Sequence, residues 1–243
     1  MFWQLQRTSR KSKHLMKYIF TTLFSLIFVC SFAQQMSYDE WKKETQSEIN
    51  LRPEYGNVVK SQGELKEDQT FVDLVLKQDT TPRKGSDHLV RLGFTYLSKG
   101  DMVTAMKRFN QAWLLDPKNE NVYWGYGAIY GSFSDYSAAI VQYDKGLVIN
   151  PESSVILTDK ATLYFVQFQQ DQDNSKLNTA LDLLKRSYSI DPKNTSTTYK
   201  LSICYFLSKD CINAWKFYNE CQKLGGQPIA ENYTNALKNI CPN

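Results

Sequence analysis

Three prolines, each preceded by Asp or Asn, fall at intervals that constrain the fold more than any other feature of this chain. They are Pro117, Pro151 and Pro192. The first interval is 34 residues, and the second, at 41, is longer by seven. Proline cannot continue an α-helix, and it disfavours helical geometry in the residue before it. The three Asx–Pro steps therefore predict regularly spaced turns, each of which ends one unit of an internal repeat.

Side-chain size recurs in phase behind these prolines. Counted back from Pro117, large, small and aromatic residues follow in a fixed order, and the same order precedes Pro151. The two sets are Leu89, Leu92, Gly93, Tyr96, Ala105, Phe109 and Ala112, and Tyr123, Tyr126, Gly127, Tyr130, Ala139, Tyr143 and Gly146. The two strings agree position by position, which indicates two copies of one repeating unit. Where such a unit is a pair of antiparallel helices, small residues let the helices approach closely and large neighbours fill the adjoining grooves.

The pattern of sizes and turns resembles the tetratricopeptide-repeat family, whose unit is a helix–turn–helix of about 34 residues. The resemblance implies an all-α, right-handed superhelix, an α-solenoid of about four repeats. The four copies are 86–119, 120–153, 154–194 and 195–228. The third copy is seven residues too long, and we place the surplus in an extended internal turn around 169–176, where the sequence is polar and has no apolar period.

Segments on both sides of the repeats have helical patterns of their own. They are 37–49 and 64–78, within an N-terminal flank and linker at 34–85, and a capping helix within 229–243. The end repeats of a solenoid would otherwise expose an apolar face, so each needs a cover. We expect 64–78 to cover the first repeat and the C-terminal helix to cover the fourth.

The first 33 residues differ from the rest of the chain. Five basic residues, the last of them Lys17, precede an apolar run at 18–33 that ends in a small-x-small motif at Ala33. A basic segment, a short apolar stretch and such an end are typical of a secretory signal peptide. We therefore expect export to the periplasm or the medium, with cleavage after Ala33. Met16 is an alternative start of the chain.

Alternatives to a cleaved leader stay open. The apolar run is shorter than the roughly 20 residues that span a bilayer, but an uncleaved anchor over 18–33 would make a membrane-tethered assembly subunit of the cell envelope. Cys30 could carry a lipid, although Val29 before it is bulkier than lipoprotein processing favours. In a secreted eukaryotic protein, 194–196 and 232–234 would be candidate glycosylation sites.

The charge of the chain argues against two classes of partner. The whole chain has a formal net charge of +4, but residues 1–33 hold five basic and no acidic residues, so the mature chain would carry −1. A near-neutral protein gives no reason to expect nucleic acid or an anionic membrane as a ligand. We therefore expect a protein or peptide partner, no nucleic acid, and no membrane contact after leader cleavage.

The sequence offers little for catalysis. His88 is the single histidine after the leader, so no histidine pair is available for a metal ion or for general base catalysis. No Gly-x-Ser-x-Gly nucleophile motif occurs, and the glycines of 123–131 fall in a helical register where they serve packing. We expect a non-catalytic protein without cofactor or metal. An enzyme accessory with a site hidden in 37–85 is the remaining alternative.

Four cysteines follow the leader, at Cys204, Cys211, Cys221 and Cys241. An exported protein meets oxidising conditions, which allow a disulfide. Cys211 and Cys221 would lie about 15 Å apart on one helix, too far to be joined. Cys211 begins the second helix of copy four and Cys241 ends the capping helix, so both should lie at the same end of the stack. We favour this pair, and expect Cys204 and Cys221 to be buried thiols.

In the family that the chain resembles, the first helices line a concave groove that holds a peptide. We carry its contact positions over by register to Val90, Phe94, Trp124, Ala128, Thr158, Thr162, Tyr199 and Ile203. Amphipathic aromatic residues dominate the binding energy of interfaces, so Trp124 and Tyr199 are the expected anchors. Members that clamp the carboxylate of chaperone tails have Lys and Asn at the fifth and ninth positions of the repeat, where this chain has Val90 and Phe94, and Trp124 and Ala128. A clamp of that kind is therefore not expected here.

The resemblance thus implies a protein–protein interaction scaffold that binds its partner in the concave groove. An alternative without a ligand remains, in which the aromatic residues simply pack between helices. In a further alternative, residues 37–78 fold back into the groove and fill it.

Overall fold

The structure is a computed structural model that describes residues 36–226 and 229–242. Within these ranges, eleven α-helices and two 3₁₀ segments (Ile49–Leu51 and Pro53–Asn57) follow one another, and no residue lies in a strand. The α-helices are α1 (Tyr38–Ser47), α2 (Gln62–Asp79), α3 (Pro82–Ser98), α4 (Met102–Leu115), α5 (Glu120–Ser132), α6 (Tyr136–Ile149), α7 (Ser154–Asp171), α8 (Asn174–Ile190), α9 (Thr195–Leu207), α10 (Cys211–Lys223) and α11 (Glu231–Ile240). The predicted leader at 1–33 lies outside the described residues.

Helices α3 to α10 form four hairpins that touch in succession. Helix α3 packs against α4, α5 against α6, α7 against α8 and α9 against α10. The second helix of each hairpin also contacts the first helix of the next one, and the first helices α3, α5, α7 and α9 contact one another in order. This arrangement confirms the all-α solenoid that the sequence predicts.

Short polar side chains start the helices at the turns. Asp101, Asp135 and Asp210 each precede the second helix of a hairpin and accept a hydrogen bond from the backbone N–H three residues later, at 2.9, 3.0 and 3.0 Å. A cap of this kind contributes about 1 kcal/mol. Thr81 caps α3 in the same way, so this helix begins a few residues before the predicted start of the first copy.

The third hairpin corrects the prediction for 169–176. Instead of an extended turn, α7 has 18 residues against 13 in α5, α8 has 17 against 14 in α6, and only residues 172–173 lie between α7 and α8. Phe168 and Leu177 are buried in one apolar cluster, so the added helical turns have a core to pack on. Asp173 caps α8.

Small residues bring neighbouring hairpins close together. Gly93 of α3 and Gly125 of α5 lie against the ring of Phe109 from α4, and a methyl group built on either glycine would overlap that ring. Phe109 is fully buried. The alanines at the matching positions of the second helices, Ala105, Ala139, Ala180 and Ala214, are also fully buried. The Phe109 ring therefore fills the space beside the two glycines, as predicted from the recurring pattern of large and small residues.

Gly125→Ala should destabilise the protein by about 1–3 kcal/mol, because the added methyl group has to displace the Phe109 ring in a closed core. Gly63→Ala is the matched control. Gly63 lies in the first turn of α2, where the nearest atom to an added methyl group is 3.9 Å away, so alanine should leave stability unchanged or raise it. Urea denaturation followed by circular dichroism measures both variants. A midpoint for Gly125→Ala equal to that of the parent would contradict the close contact.

Residues 37–57, here called the N-terminal strap, pack against the second helices of the solenoid. Trp41 is buried, and its ring lies 5.3 Å from that of Phe133 in the α5–α6 turn. Tyr55 packs edge-on against Trp113 of α4 at 6.3 Å. The alternative in which the N-terminal flank folds back into the groove is therefore wrong for the strap.

A buried asparagine fixes the strap to the first two repeats. The side-chain amide of Asn110 in α4 donates to the carbonyl oxygens of Asn50 and Arg52, at 2.8 and 2.9 Å. Its amide oxygen accepts from the hydroxyl of Tyr126 in α5 at 2.6 Å. Because Asn110 and Tyr126 are fully buried, losing one partner would leave polar groups unsatisfied in the interior.

The strap ends in a left-handed turn that the same network holds. Residues 54–57 all have φ between 53° and 67°, a conformation that glycine and, less often, asparagine adopt but that Glu54 and Tyr55 disfavour. The Glu54 backbone N–H donates to the Tyr126 hydroxyl at 3.2 Å. The Glu54 carboxylate, itself buried, pairs with Lys145 of α6 at 2.7 Å. These tertiary contacts offset the cost of the unusual backbone.

Helix α2 covers the first repeat along one edge only. None of its residues is buried, and Leu65 and Leu74, predicted to lie on its apolar face, are 47% and 57% exposed. Phe71 and Val75 are half-buried. The four apolar residues therefore do not share one packed face, and α2 remains a partial cover of α3.

A disulfide closes the C-terminal end. Cys211, the first residue of α10, is joined to Cys241, which follows α11, with Cα atoms 5.3 Å apart. This is the pair that the sequence favours. The two cysteines are separated by 30 residues, and a loop of that size stabilises the fold by about 3–4 kcal/mol through restriction of the unfolded chain. Cys204 and Cys221 are buried free thiols.

Candidate functional site

The predicted partner-binding residues lie on the first helices of the four hairpins, which contact one another in the order α3, α5, α7, α9. Six of the eight are partly exposed: Phe94, Trp124, Ala128, Thr162, Tyr199 and Ile203. Val90 and Thr158 are buried. The six form an interrupted row along the stack, and we call the surface that carries them the inner face.

A cleft of about 570 Å³ opens on the inner face between the first and second hairpins. Its lining comes from α3 and α5 alone. The lining residues are Asp87, Val90, Arg91, Phe94, Thr95, Ser98, Asn121 and Trp124. The apolar surface of Val90, Phe94 and Trp124 is thus bordered by one acid, one base and three small polar side chains. This mixture suits a ligand that has both an apolar side chain and a polar backbone.

Two aromatic rings form the apolar part of the cleft. The rings of Phe94 and Trp124 lie 4.1 Å apart at a tilt of 44°. Phe94 also contacts the core ring of Phe109 edge-on at 5.2 Å. The Trp124 indole N–H donates to the Asp159 carboxylate of α7 at 2.7 Å. Both rings are therefore fixed in place before any ligand arrives.

Two opposite charges lie on the inner face beyond Trp124. Burial raises the pKa of Asp159, and the hydrogen bond from Trp124 and the positive charge of Lys200 counteract that rise only in part. Burial lowers the pKa of Lys200 in α9, and the charge of Asp159 opposes this shift. Lys200 donates to the Ser196 hydroxyl at 2.5 Å. Burial therefore removes part of the water around both the Asp159 carboxylate and the Lys200 ammonium group.

The prediction that Thr158 lines the groove is wrong. It is 2% exposed, and its hydroxyl lies 2.8 Å from that of Ser187 and 2.7 Å from that of Thr197. These three hydroxyl groups form a closed cluster between α7, α8 and α9. A polar side chain at this position turns inward because partners for its hydroxyl exist there.

The single described histidine, His88, forms an exposed pair with Asp79. His88 Nδ1 lies 3.1 Å from an oxygen of Asp79, and its side chain is 52% exposed. Among the described residues, no three side chains of His, Cys, Asp or Glu come together as a metal site. None of the helices at 36–226 and 229–242 is long and apolar enough to cross a membrane.

Comparison with solved structures decides the fold. No protein-family model and no curated protein matches the chain. The crystal structure of TTC0263, a thermophilic tetratricopeptide-repeat (TPR) protein of Thermus thermophilus, matches with a TM-score of 0.52 and 16% identity, over 64% of this chain and 80% of that one. A crystal structure of MamA matches with a TM-score of 0.47 and 17% identity, over 69% of this chain and 96% of that one. The chain folds as a TPR solenoid.

The TPR register also points to a residue that the sequence reading missed. Counting 34 residues on from the start of the fourth copy places Tyr233 of α11 at the position that Trp124 and Tyr199 occupy in their repeats. The Tyr233 ring lies 6.0 Å from Tyr199 and 5.7 Å from Phe206. The repeat therefore continues in α11. Asp159 was also missed, and no feature of the repeat pattern marks it.

The raised pKa of Asp159 gives a test of this part of the TPR inner face. Because the folded protein holds the Asp159 proton more tightly than the unfolded chain, this residue contributes a loss of stability as pH rises from the ordinary aspartate range. Asp159→Asn avoids that loss, and its amide oxygen can still accept from Trp124. The melting temperature of the variant minus that of the parent should therefore increase between about pH 3.5 and 7.

The control for this experiment is Asp182→Asn, since the Asp182 side chain is 75% exposed and pairs only with a surface lysine. Its melting temperature should follow that of the parent across the same pH range. A difference for Asp159→Asn that stays flat or decreases with pH would show that the Asp159 carboxylate is well solvated in the folded protein.

Proposed function

We propose that this TPR solenoid is a protein–protein interaction scaffold that binds a peptide or protein partner on its inner face. The observation that carries the proposal is the cleft between the first two repeats, with the Phe94–Trp124 pair as its apolar surface. The TPR fold supports the same conclusion, because solenoids present extended concave surfaces that suit elongated ligands.

The energetics of the cleft favour an apolar side chain of the partner as the main anchor. The only polar atom of the Trp124 side chain already has its hydrogen-bond partner in Asp159, so a ligand need not supply one. The ring faces are what remains for binding. Since both rings are held by neighbours, little side-chain entropy is lost when a ligand packs on them. Asp87, Arg91 and Asn121 can bond the polar backbone beside that anchor.

The function is proposed to be non-catalytic. The single described histidine, His88, pairs with Asp79 on an exposed surface. Asp159 accepts a hydrogen bond from the Trp124 indole and thereby holds that ring. Neither His88 nor Asp159 is among the residues that line the cleft.

Trp124→Ala should lower the affinity for the partner by about 30-fold or more, because truncation of a central aromatic anchor typically costs at least about 2 kcal/mol. Tyr199→Ala should weaken binding as well if the ligand extends along the row. The measurement is quantitative capture from an extract of the native cells, followed by titration with the recovered protein. Matching circular dichroism spectra and melting curves would show that the variants fold.

Val148→Ala is the matched control for the binding experiment. Val148 is 82% exposed on α6, a second helix, so its removal should leave capture unchanged. Retention of the same partner by Trp124→Ala and Tyr199→Ala at parental affinity would place binding elsewhere and overturn the proposed surface.

We also propose that the protein works outside the cytoplasm, in the periplasm or the medium. The basic and apolar pattern of residues 1–33 supports a secretory leader. The disulfide between Cys211 and Cys241 suits an oxidising compartment. The second candidate function, a membrane-tethered assembly subunit of the envelope, would keep that leader as an anchor.

N-terminal sequencing of the protein recovered from its native cells should separate these two candidates. A cleaved leader predicts a mature chain that begins at Gln34 and is released by osmotic shock or found in the medium. A tethered subunit predicts an intact apolar segment and recovery in the detergent-soluble membrane fraction. A membrane-bound chain that still contains residues 18–33 would rule out the exported, released form.

A further inference from the structure

The closing helix α11 depends on few contacts. Of its ten residues only Leu237 is buried, and its N-cap residue, Ala230, makes no side-chain capping bond. A helix this short is marginal in isolation, so α11 persists only through what it packs against. Its position is therefore sensitive to anything that loosens its attachment.

Tyr233 lies at the contact between α11 and the fourth repeat. Its ring contacts those of Tyr199 and Phe206, and its hydroxyl lies 2.6 Å from that of Ser202, a buried residue of α9. Leu237 lies in a small cluster with Ala214, apart from the larger core of the third and fourth repeats. The Tyr233 ring also contacts that of Tyr218 in α10 at 6.3 Å, and the Tyr218 hydroxyl lies 3.1 Å from that of Thr234. The non-covalent attachment of α11 therefore rests on the Tyr233 ring, Leu237 and two hydroxyl pairs.

The disulfide is the covalent part of this attachment. It joins the residue after α11 to the first residue of α10. The Trp215 indole N–H donates to the carbonyl oxygen of Cys241 at 2.6 Å, so the indole reports on the bridge. The thiol of Cys204 in α9 is buried, and burial raises its pKa to about 12. It therefore supplies almost no thiolate to exchange with the bridge.

We propose that α11 is a redox-controlled latch, held on the fourth repeat by the Cys211–Cys241 disulfide and released when a dithiol reduces it. Release would uncover Tyr199 of the inner face and Phe206, the two aromatic residues of α9 that Tyr233 contacts. That consequence for a bound partner rests on the proposed function, whereas the release itself does not.

The geometry favours one order of events in the reduction. Cys211 is partly exposed, whereas Cys241 is buried. A thiolate of the dithiol attacks Sγ of Cys211, the S–S bond breaks, and Cys241 leaves as a thiolate that takes up a proton. The second thiolate of the dithiol then attacks the mixed disulfide, which oxidises the dithiol to a cyclic disulfide. Cys211 leaves in this step as a thiolate at the N-terminus of α10, where the helix dipole stabilises it.

Hydrogen exchange of the whole protein, with and without dithiothreitol, tests the latch without any partner. Reduction should speed exchange of the amides of 231–241 by at least about tenfold and leave α3 to α8 unchanged. Trp215 fluorescence should shift to the red as its bond to Cys241 is lost. Cys211→Ser with Cys241→Ser should exchange at the fast rate whether or not dithiothreitol is present.

Cys204→Ala serves as the control, because it removes a buried thiol and keeps the bridge, and it should respond to dithiothreitol as the parent does. Slow exchange of 231–241 in both the reduced parent and the double variant would overturn the latch. Since no ligand enters this experiment, its failure and a failure of the Trp124→Ala binding test can be told apart.

Discussion

The seating of the Phe109 ring against Gly93 and Gly125 sets the distance between the first two hairpins. An aromatic ring can lie there because two helices present no side chain to it, and the ring in turn fills what would be a void. The second hairpin likewise shares an apolar cluster with the third, in which Ala139 and Tyr143 pack with Ile156. Each hairpin therefore completes its core only with atoms of the next one. A stack of such hairpins would expose an apolar face at each end, so both ends need a cover.

The two ends are covered by different physical means. At the N-terminus, α2 covers the first repeat only in part, while the strap crosses the second helices and is fixed by buried hydrogen bonds to Asn110 and by the Glu54–Lys145 pair. At the C-terminus, α11 continues the repeat register and is fixed by Tyr233 and a disulfide. Because the strap packs on the second helices, it leaves the cleft between the first helices α3 and α5 open. The position of the candidate site thus follows from where the N-terminal cover lies.

The repeat could be predicted from the sequence because packing needs small and large residues at fixed intervals, and those intervals are visible in one dimension. The same signal does not say whether surplus residues extend helices or a turn. In the third copy, Phe168 and Leu177 gave longer helices a core, and the predicted turn was wrong. The prediction for Thr158 was wrong for a related reason. The repeat register places this residue on a helix, but it does not show that the hydroxyl groups of Ser187 and Thr197 lie within hydrogen-bond distance. The left-handed turn at 54–57 is held by tertiary contacts, and the single glycine in this segment did not predict it.

The packing of the core and the shape of the candidate site depend on each other in this molecule. The Phe94 ring lies between the core ring of Phe109 and the cleft ring of Trp124, at 5.2 and 4.1 Å. A change in how the first two hairpins pack would therefore move the apolar surface of the cleft, even though no cleft residue had changed. Trp124 is linked in turn to the third repeat through Asp159. The shape offered to a ligand is consequently set by three successive repeats, and the packing that holds the stack together is also what organises its inner face in advance of binding.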